Sequence, residues 1–532
     1  MPKVEIQMTW GGLAPSEYFS STGQVLASIG IDPDLPISDA VGDRLTSGAL
    51  RPSAYAKFSS TAVTANPYSL ITNPKDSLVY CVLANGRLLS YTSAFASETL
   101  VGTVASPNTS ATYGVYYNNY IYIRTQTNIS RYGPLNNTPT LVDSVWTGAT
   151  LGSQTALTNY TLPSIRGGGT LPFTMFVHSD NNLYHADFIN GKGLIHKIQT
   201  TKTTNEGDTN NGSAYNVLDL PFGFIPTCIG NYGADLVIGG IQTTNGTITQ
   251  GKAMLFFWDT FSDSFYNQVP LADTVVTALI NNNGFLHVFS GSIGTGADVS
   301  NGYRVSAYLG GQTLKQIYFS NTGSPPLLGA VDSIGEKVIW GTFEQIATTT
   351  ASAPEYYATV MSINSKDARL SSGVQGIAKA SATATAADGL VTAVKNLEQS
   401  SFSFPKYVIG WRDATSFGID SKTTTYTTSI WRSPMIQVGQ KFVVNRISLP
   451  LAVAVASNIT VTPKIFLDDF SSSSTTYLQA ITATNFPNSE RNIVYYPTIN
   501  GNHNFCFELR WSGSVLAPIL FPITIELDVY DN

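Results

Sequence analysis

Between about Asn66 and Pro434 the chain repeats one pattern. A short apolar run gives way to Asn, Gly, Asp or Ser, then to a second run rich in Tyr, Phe, Ile and Val, and then to a looser polar stretch. The clearest runs are Gly86 to Tyr91, Tyr120 to Arg124, Asn182 to Ala186, Asp235 to Gly239, Phe285 to Phe289, Lys337 to Gly341 and Tyr407 to Trp411. These are about seven recurrences of roughly 35 to 70 residues, the period of propeller blades rather than of one sandwich. Asn85-Gly86, Asn190-Gly191, Asn283-Gly284, Asn245-Gly246 and Gly310-Gly311 fall between strand-like runs, where hairpin turns need positive φ. Outer strands follow the central ones, as in Ala253 to Trp258 with Ser264 to Tyr266, and Arg304 to Leu309 with Leu314 to Phe319. Six, seven or eight blades of four strands fit, and seven fits best. The only helix candidate, Ala387 to Gln399, reads equally well as a strand between turns.

From about Ser433 the pattern tightens into six closely spaced strands with period-two alternation. Phe505, Phe507, Leu509 and Trp511 share one face, with Cys506, Glu508 and Arg510 on the other; Ile523, Ile525, Leu527 and Val529 alternate with Thr524, Glu526, Asp528 and Tyr530. Such half-buried antiparallel strands predict a jelly-roll-like β-sandwich over residues 435–532. Residues 1–65 carry neither pattern. Trp10-Gly11-Gly12, the Pro33 and Pro36 pair and Arg51-Pro52 interrupt any regular interior and predict an extended N-terminal arm. The arm either wraps its own propeller or docks on a neighbouring subunit through Trp10, Asp32, Asp34 and Arg51. The predicted fold is therefore all-β: arm 1–65, irregular propeller 66–434, antiparallel sandwich 435–532.

Composition narrows the roles. Charged residues are 12% of the 532, against about 25% in ordinary globular proteins, so Ser, Thr, Asn and Gln must supply the polar surface. A net charge of -6 supplies no basic footprint for nucleic acid. The charged start Met1-Pro2-Lys3-Val4-Glu5 does not read as a signal peptide, and no window holds the ~18 apolar residues of a membrane span. Cys81, Cys228 and Cys506 sit far apart in apolar runs and read as buried reduced thiols.

Catalytic constellations are hard to assemble from this sequence. The five histidines, His178, His185, His196, His287 and His503, lack metal-ligand spacing, and those in strand-like runs read as structural. Gly291 to Gly296 has neither nucleotide-loop spacing nor a helix after it. Ser365-Lys366-Asp367-Ala368-Arg369 puts Arg where the Asp-box turn of sialidase-like propellers needs Gly. A glycosidase would need two carboxylates brought together from different blades. Asp468-Asp469, before a Ser-rich turn, is the one candidate cation position, set against a solvated strand end; no cofactor is predicted. Tyr477, Tyr495, Tyr496 and Trp511 are candidate sugar-stacking residues, with core packing as the competing role.

Taken together, the charge-poor Ser/Thr/Asn-rich chain, the Trp-Gly-Gly, Gly-Ile-Asp-Pro-Asp and Arg-Pro-Ser arm, the irregular propeller and the terminal sandwich resemble structural proteins of tailed bacteriophages. Tail nozzle, tail tip and adhesin components are the similar members. The resemblance implies a non-enzymatic virion protein assembled in the host cytoplasm. It further implies symmetric copies of itself and other tail or portal-proximal proteins as partners. Host surface glycans are the ligands of the alternative adhesin role, and a glycan-cleaving propeller is the third.

Overall fold

A computed structural model of the chain describes residues 2–8, 27–29, 37–38, 44–45, 49–50, 54–57, 62–73, 78–92, 97–104, 112–125, 128–147, 164–165, 170–198, 214–244, 247–293, 302–320, 323–335, 337–346, 355–364, 377–379, 389–397, 407–412, 416–423, 428–451, 458–469, 475–486, 491–513, 519–520 and 522–530. Regular structure in them is β throughout, apart from one short 3-10 turn at Leu328–Ala330.

Seven four-stranded antiparallel sheets follow one another. Sheet 1 runs from Pro67–Thr72 to Glu98–Thr103, sheet 2 from Tyr113–Tyr117 to Thr140–Thr147, and sheet 3 from Met175–Val177 to Ala214–Phe222. Sheet 4 runs from Phe224–Tyr232 to Asn267–Pro270, sheet 5 from Val275–Asn282 to Leu314–Ser320, and sheet 6 from Val331–Ile334 to Ile377–Lys379. Sheet 7 contains Leu390–Asn396, Tyr407–Arg412 and Phe417–Thr423, and takes its fourth strand, Ala54–Lys57, from near the start of the chain. In sheets 1 to 6 the first strand packs against the first strand of the next sheet, that of sheet 6 against Leu390–Asn396 of sheet 7, and Leu390–Asn396 packs back onto Pro67–Thr72. This arrangement is propeller-like.

Local chemistry explains the hairpins and the close sheet packing. Gly86, the Asn190-Gly191 and Asn283-Gly284 pairs and Gly310-Gly311 all have positive φ, as the turn residues require; Asn245-Gly246 lies outside the described residues. Within strands, Gly341 and Gly410 let the next sheet approach: a Cβ on Gly341 would lie 2.2 Å from Val391, and one on Gly410 2.6 Å from Pro67. Polar staples cross between sheets as well. The Gly114 amide donates to Ser69 Oγ at 2.9 Å, Tyr117 OH to the Asn181 carbonyl at 2.8 Å, Trp340 Nε1 to Tyr303 OH at 2.9 Å, and the Asn396 amide to Asp332 Oδ2 at 2.8 Å.

One apolar cluster joins Tyr68, Leu171, Ile225, Val275, Leu327 and Leu390, with Phe343 beside them. The cluster thus draws on sheets 1, 4, 5, 6 and 7 and on two connections between sheets. The turn at Leu328–Ala330 lies flat on sheet 1, so that a Cβ on Gly329 would come within 1.9 Å of the Tyr68 carbonyl oxygen.

Two further sheets make the carboxy-terminal unit. Sheet 8 has the order Lys3–Met8, Ile523–Val529, Phe442–Pro450, Asn492–Tyr495, with Ile499–Gly501 also on Phe442–Pro450. Sheet 9 has the order Ala27–Ile29, Thr428–Arg432, Asn504–Gly513, Ile459–Leu467, Thr475–Tyr477, with Ile436–Gln437 also on Asn504–Gly513. Both contribute to one buried cluster, in which the Phe442 and Phe505 rings lie 5.5 Å apart. The same cluster continues into Phe289, Tyr303, Trp340 and Met361 of sheets 5 and 6.

The start of the chain pairs within the chain itself. Its described strands edge sheet 8, edge sheet 9 and complete sheet 7, and Ala49–Leu50 pairs with Ile519–Leu520. Thr428–Arg432, expected on the propeller side of residue 434, is a strand of sheet 9 instead. An edge strand uses one row of backbone groups and needs no hydrophobic period of its own, so its partner is not written into its local sequence.

Candidate functional site

Among the described residues, a concentration of charged side chains lies on the face of sheet 9 opposite Trp511. Register places Arg432, Glu508, Lys464 and Tyr477 side by side on four adjacent strands. Arg432 Nε donates to Glu508 Oε2 at 2.7 Å and its Nη2 donates to the same oxygen. Arg510, two residues along the strand, donates from Nε to Oε1, and Lys464 Nζ stands 3.5 Å from that oxygen. Lys464 Nζ is also 4.7 Å from the centre of the Tyr477 ring, and Arg432 lies over Phe466 at 5.2 Å. Glu508 is wholly buried. Burial opposes its ionisation, but the Arg432 and Arg510 guanidiniums outweigh that and hold its carboxyl below the ordinary range. The alternation around Cys506, Glu508 and Arg510 marks this face in the sequence, but the cations that meet Glu508 come from strands 44 and 76 residues away and only register reveals them.

A second polar layer lies between sheets 2 and 3. Arg124 Nη2 and Asp187 Oδ1 are 3.6 Å apart with both side chains fully buried, and Arg124 lies over Phe173 at 5.0 Å. His185 and His196, opposite each other on adjacent strands, stack with ring centres 4.8 Å apart. Burial first, and then the neighbouring His196 and Arg124, push the His185 pKa well down; burial pushes that of His196 down to about 4 despite Asp187. His287 in sheet 5 is also lowered to about 4, by burial. These imidazoles are neutral structural groups at neutral pH. The three cysteines are buried free thiols.

The sequence-selected residues do not converge. Trp10, Asp32, Asp34 and Arg51 lie outside the described residues. Asp468, with positive φ, accepts the His503 and Asn504 amides at 2.9 and 3.0 Å and the Asn502 side-chain amide at 3.2 Å. Partial burial opposes its ionisation, but these donors outweigh it and lower its pKa. Its oxygens hold a turn, while Asp469 is exposed beside it. Among the described residues no three His, Cys, Asp or Glu side chains group as a metal site. Trp511 is fully buried, and Tyr495 is buried with its hydroxyl donating to the Gln479 carbonyl at 2.7 Å, so both pack the core. Tyr477 and Tyr496 are 64% and 74% exposed, on sheet 9 and at the end of a sheet 8 strand respectively.

No family model matches the chain, and no curated protein matches its sequence. Solved structures similar to it include a streptogramin B lyase, at 12% identity and TM-score 0.38 over 70% of this chain and 97% of that one. The Dos1 propeller matches at 12% identity and TM-score 0.38, over 70% and 95%. The computationally designed Ika8 protein matches at 12% identity and TM-score 0.35, over 67% and 96%.

Proposed function

We propose that the chain is a non-enzymatic structural and interaction component of a tailed-phage virion, placed in the tail or its attachment apparatus. In this reading sheets 1–7 form a closed seven-bladed propeller, and sheets 8 and 9 a jelly-roll-like sandwich. The observation that carries it is the threading of Lys3–Met8, Ala27–Ile29 and Ala54–Lys57 into both units, as edge strands of sheets 8, 9 and 7. Such threading makes one stiff body from two modules, as a spacer in a mechanical assembly requires. The apolar cluster drawn from sheets 1, 4, 5, 6 and 7 supports the same role, because close packing across sheets makes them rigid. A charge-poor surface suits broad contact with neighbouring subunits.

Partners in this role are symmetric copies of the chain and adjoining virion proteins, assembled in the host cytoplasm. Light scattering on the purified full-length chain over a range of concentrations tests it. A defined ring-sized or trimeric species supports the role. A monomer at every concentration, together with turnover of a glycan substrate, overturns it.

A further inference from the structure

Sheet 8 ends on a strand with one side unused. Lys3–Met8 pairs with Ile523–Val529 and, among the described residues, with no strand on its other side. The Val529 amide donates to the Pro2 carbonyl at 3.1 Å, and the register from there is unbroken. In an antiparallel ladder this turns the amides and carbonyls of Val4, Ile6 and Met8 inward and those of Lys3, Glu5 and Gln7 outward. Lys3, Val4, Glu5 and Gln7 are exposed, so the outward row is open to an incoming strand.

The side chains specify what that strand must carry. Val4, Ile6 and Met8 share the core face, where Met8 is buried and Ile6 packs against the cluster, but Val4 stays 41% exposed at the rim. On the other face Lys3 stands opposite Asp528 and Glu5 opposite Glu526, a like-charge pair. Arg446 pairs with Glu526, whereas Glu5 accepts from the Gln7 side-chain amide at 2.8 Å and, among the described residues, pairs with no cation. A strand that suits this edge brings an apolar residue to Val4 and a cation to Glu5. Lys3-Val4-Glu5, turned end for end, does both.

We propose that two copies of the chain pair edge to edge through Lys3–Met8, about a two-fold axis at Val4, joining their sheets 8 into one continuous sheet. Lys3 then faces Glu5 of the second copy, and Glu5 faces its Lys3, in hydrogen-bonded pairs, while the two Val4 side chains meet on the axis. The register one step further along sets Glu5 against Glu5 and is disfavoured by like charge. Charge on an edge strand repels foreign strands, but this edge carries the complement of its own charges. Pro2 does not interrupt the outward row, because the amide it lacks belongs to the inward one. The pairing rests on this edge and not on the virion role.

Sedimentation equilibrium of the full-length chain at low salt tests this. The wild type is expected to associate, and Glu5→Lys, which sets like charges together at both symmetry-related pairs, to weaken association by about tenfold. Within the chain the same change removes the Glu5–Glu526 repulsion, so its melting temperature is expected not to fall. Adding Lys3→Glu restores opposite charges across the axis and is expected to return association to within about threefold of wild type. Glu5→Pro removes an outward amide, leaves the ladder to Ile523–Val529 intact and is expected to abolish the pairing. Mild oxidation is expected to link Val4→Cys chains into a disulfide dimer, because the two Cβ atoms face each other across the axis, and Gln7→Cys chains not at all. A monomeric wild type overturns the pairing, as does unchanged association in Glu5→Lys, no recovery in the double variant, or no crosslink at Val4→Cys. A ring or trimer unaltered by all of these changes overturns it too and leaves the virion role standing.

Discussion

His185 and His196 stack between sheets 2 and 3 in a layer that also holds Arg124 and Asp187, with Asp219 acting on His196 from the outer strand. Their folded-state pKa values lie below the ordinary imidazole value of 6.5, as does that of His287. As pH falls through 6.5 the unfolded chain therefore takes up protons that the folded chain refuses, and stability declines down to about pH 4, where His196 and His287 titrate when folded. Urea midpoints measured from pH 7 to pH 4 are expected to fall steadily, and the double variant His185→Leu, His196→Leu to flatten part of that slope. A midpoint independent of pH over this window would contradict the burial argued here. Glu508 acts lower on the scale: its carboxyl is held below 4.5, so its contribution is lost only as pH drops beneath that value. The sequence places the two His residues in strand-like runs, and a structural role follows from that. Their stacking is not legible there, because it depends on the pairing of His185 opposite His196 across a hairpin.

Strands divide by how local their partners are. The second strands of sheets 2 to 7, and the third of sheet 1, are the runs that the hydrophobic pattern marks most clearly, because each pairs with a strand close to it in the chain, in most cases through a short turn. Lys3–Met8 and Ala54–Lys57 pair instead with Ile523–Val529 and Phe417–Thr423, more than 300 residues away, and the second of these is only four residues long. Nothing within the first 57 residues encodes those partners, which is why the sequence leaves open whether the arm wraps its own chain or docks on a neighbour. The two descriptions make opposite forecasts for a chain lacking residues 1–57. A docking arm would leave the folded units intact and weaken only assembly. Edge strands that complete sheet 7 and cover sheet 8 leave, when removed, unpaired backbone on both and an opening over Met8's place in the core. The truncated chain is expected to lose thermal stability and aggregate, and a synthetic peptide of residues 1–57 added in trans to restore part of it. Full stability without the peptide would return these residues to the status of an arm.

At the scale of the molecule the question is whether two units unfold as two. Modules joined by a single linker would do so. Here the described strands pass between them twice, from Ala27–Ile29 in sheet 9 to Ala54–Lys57 in sheet 7 and again after Phe417–Thr423, and one buried cluster runs from Trp511 and Phe505 to Trp340 and Met361. Trp511→Ala removes a fully buried side chain at the centre of sheet 9 and is expected to cost about 3–5 kcal/mol. In independent units that loss would appear only in sheets 8 and 9. In a coupled body it lowers the stability of sheet 6 equally. Hydrogen exchange followed by mass spectrometry in rising urea separates these outcomes, with Asn504–Gly513 and Lys337–Ile346 as reporter peptides. Coincident opening of the two peptides, shifted together by Trp511→Ala, is the expected result. It would give the stiffness that the structural role requires a direct energetic measure, whereas opening of the first peptide at lower urea, with the second unmoved, would leave a hinge between the units and remove the main support for that role.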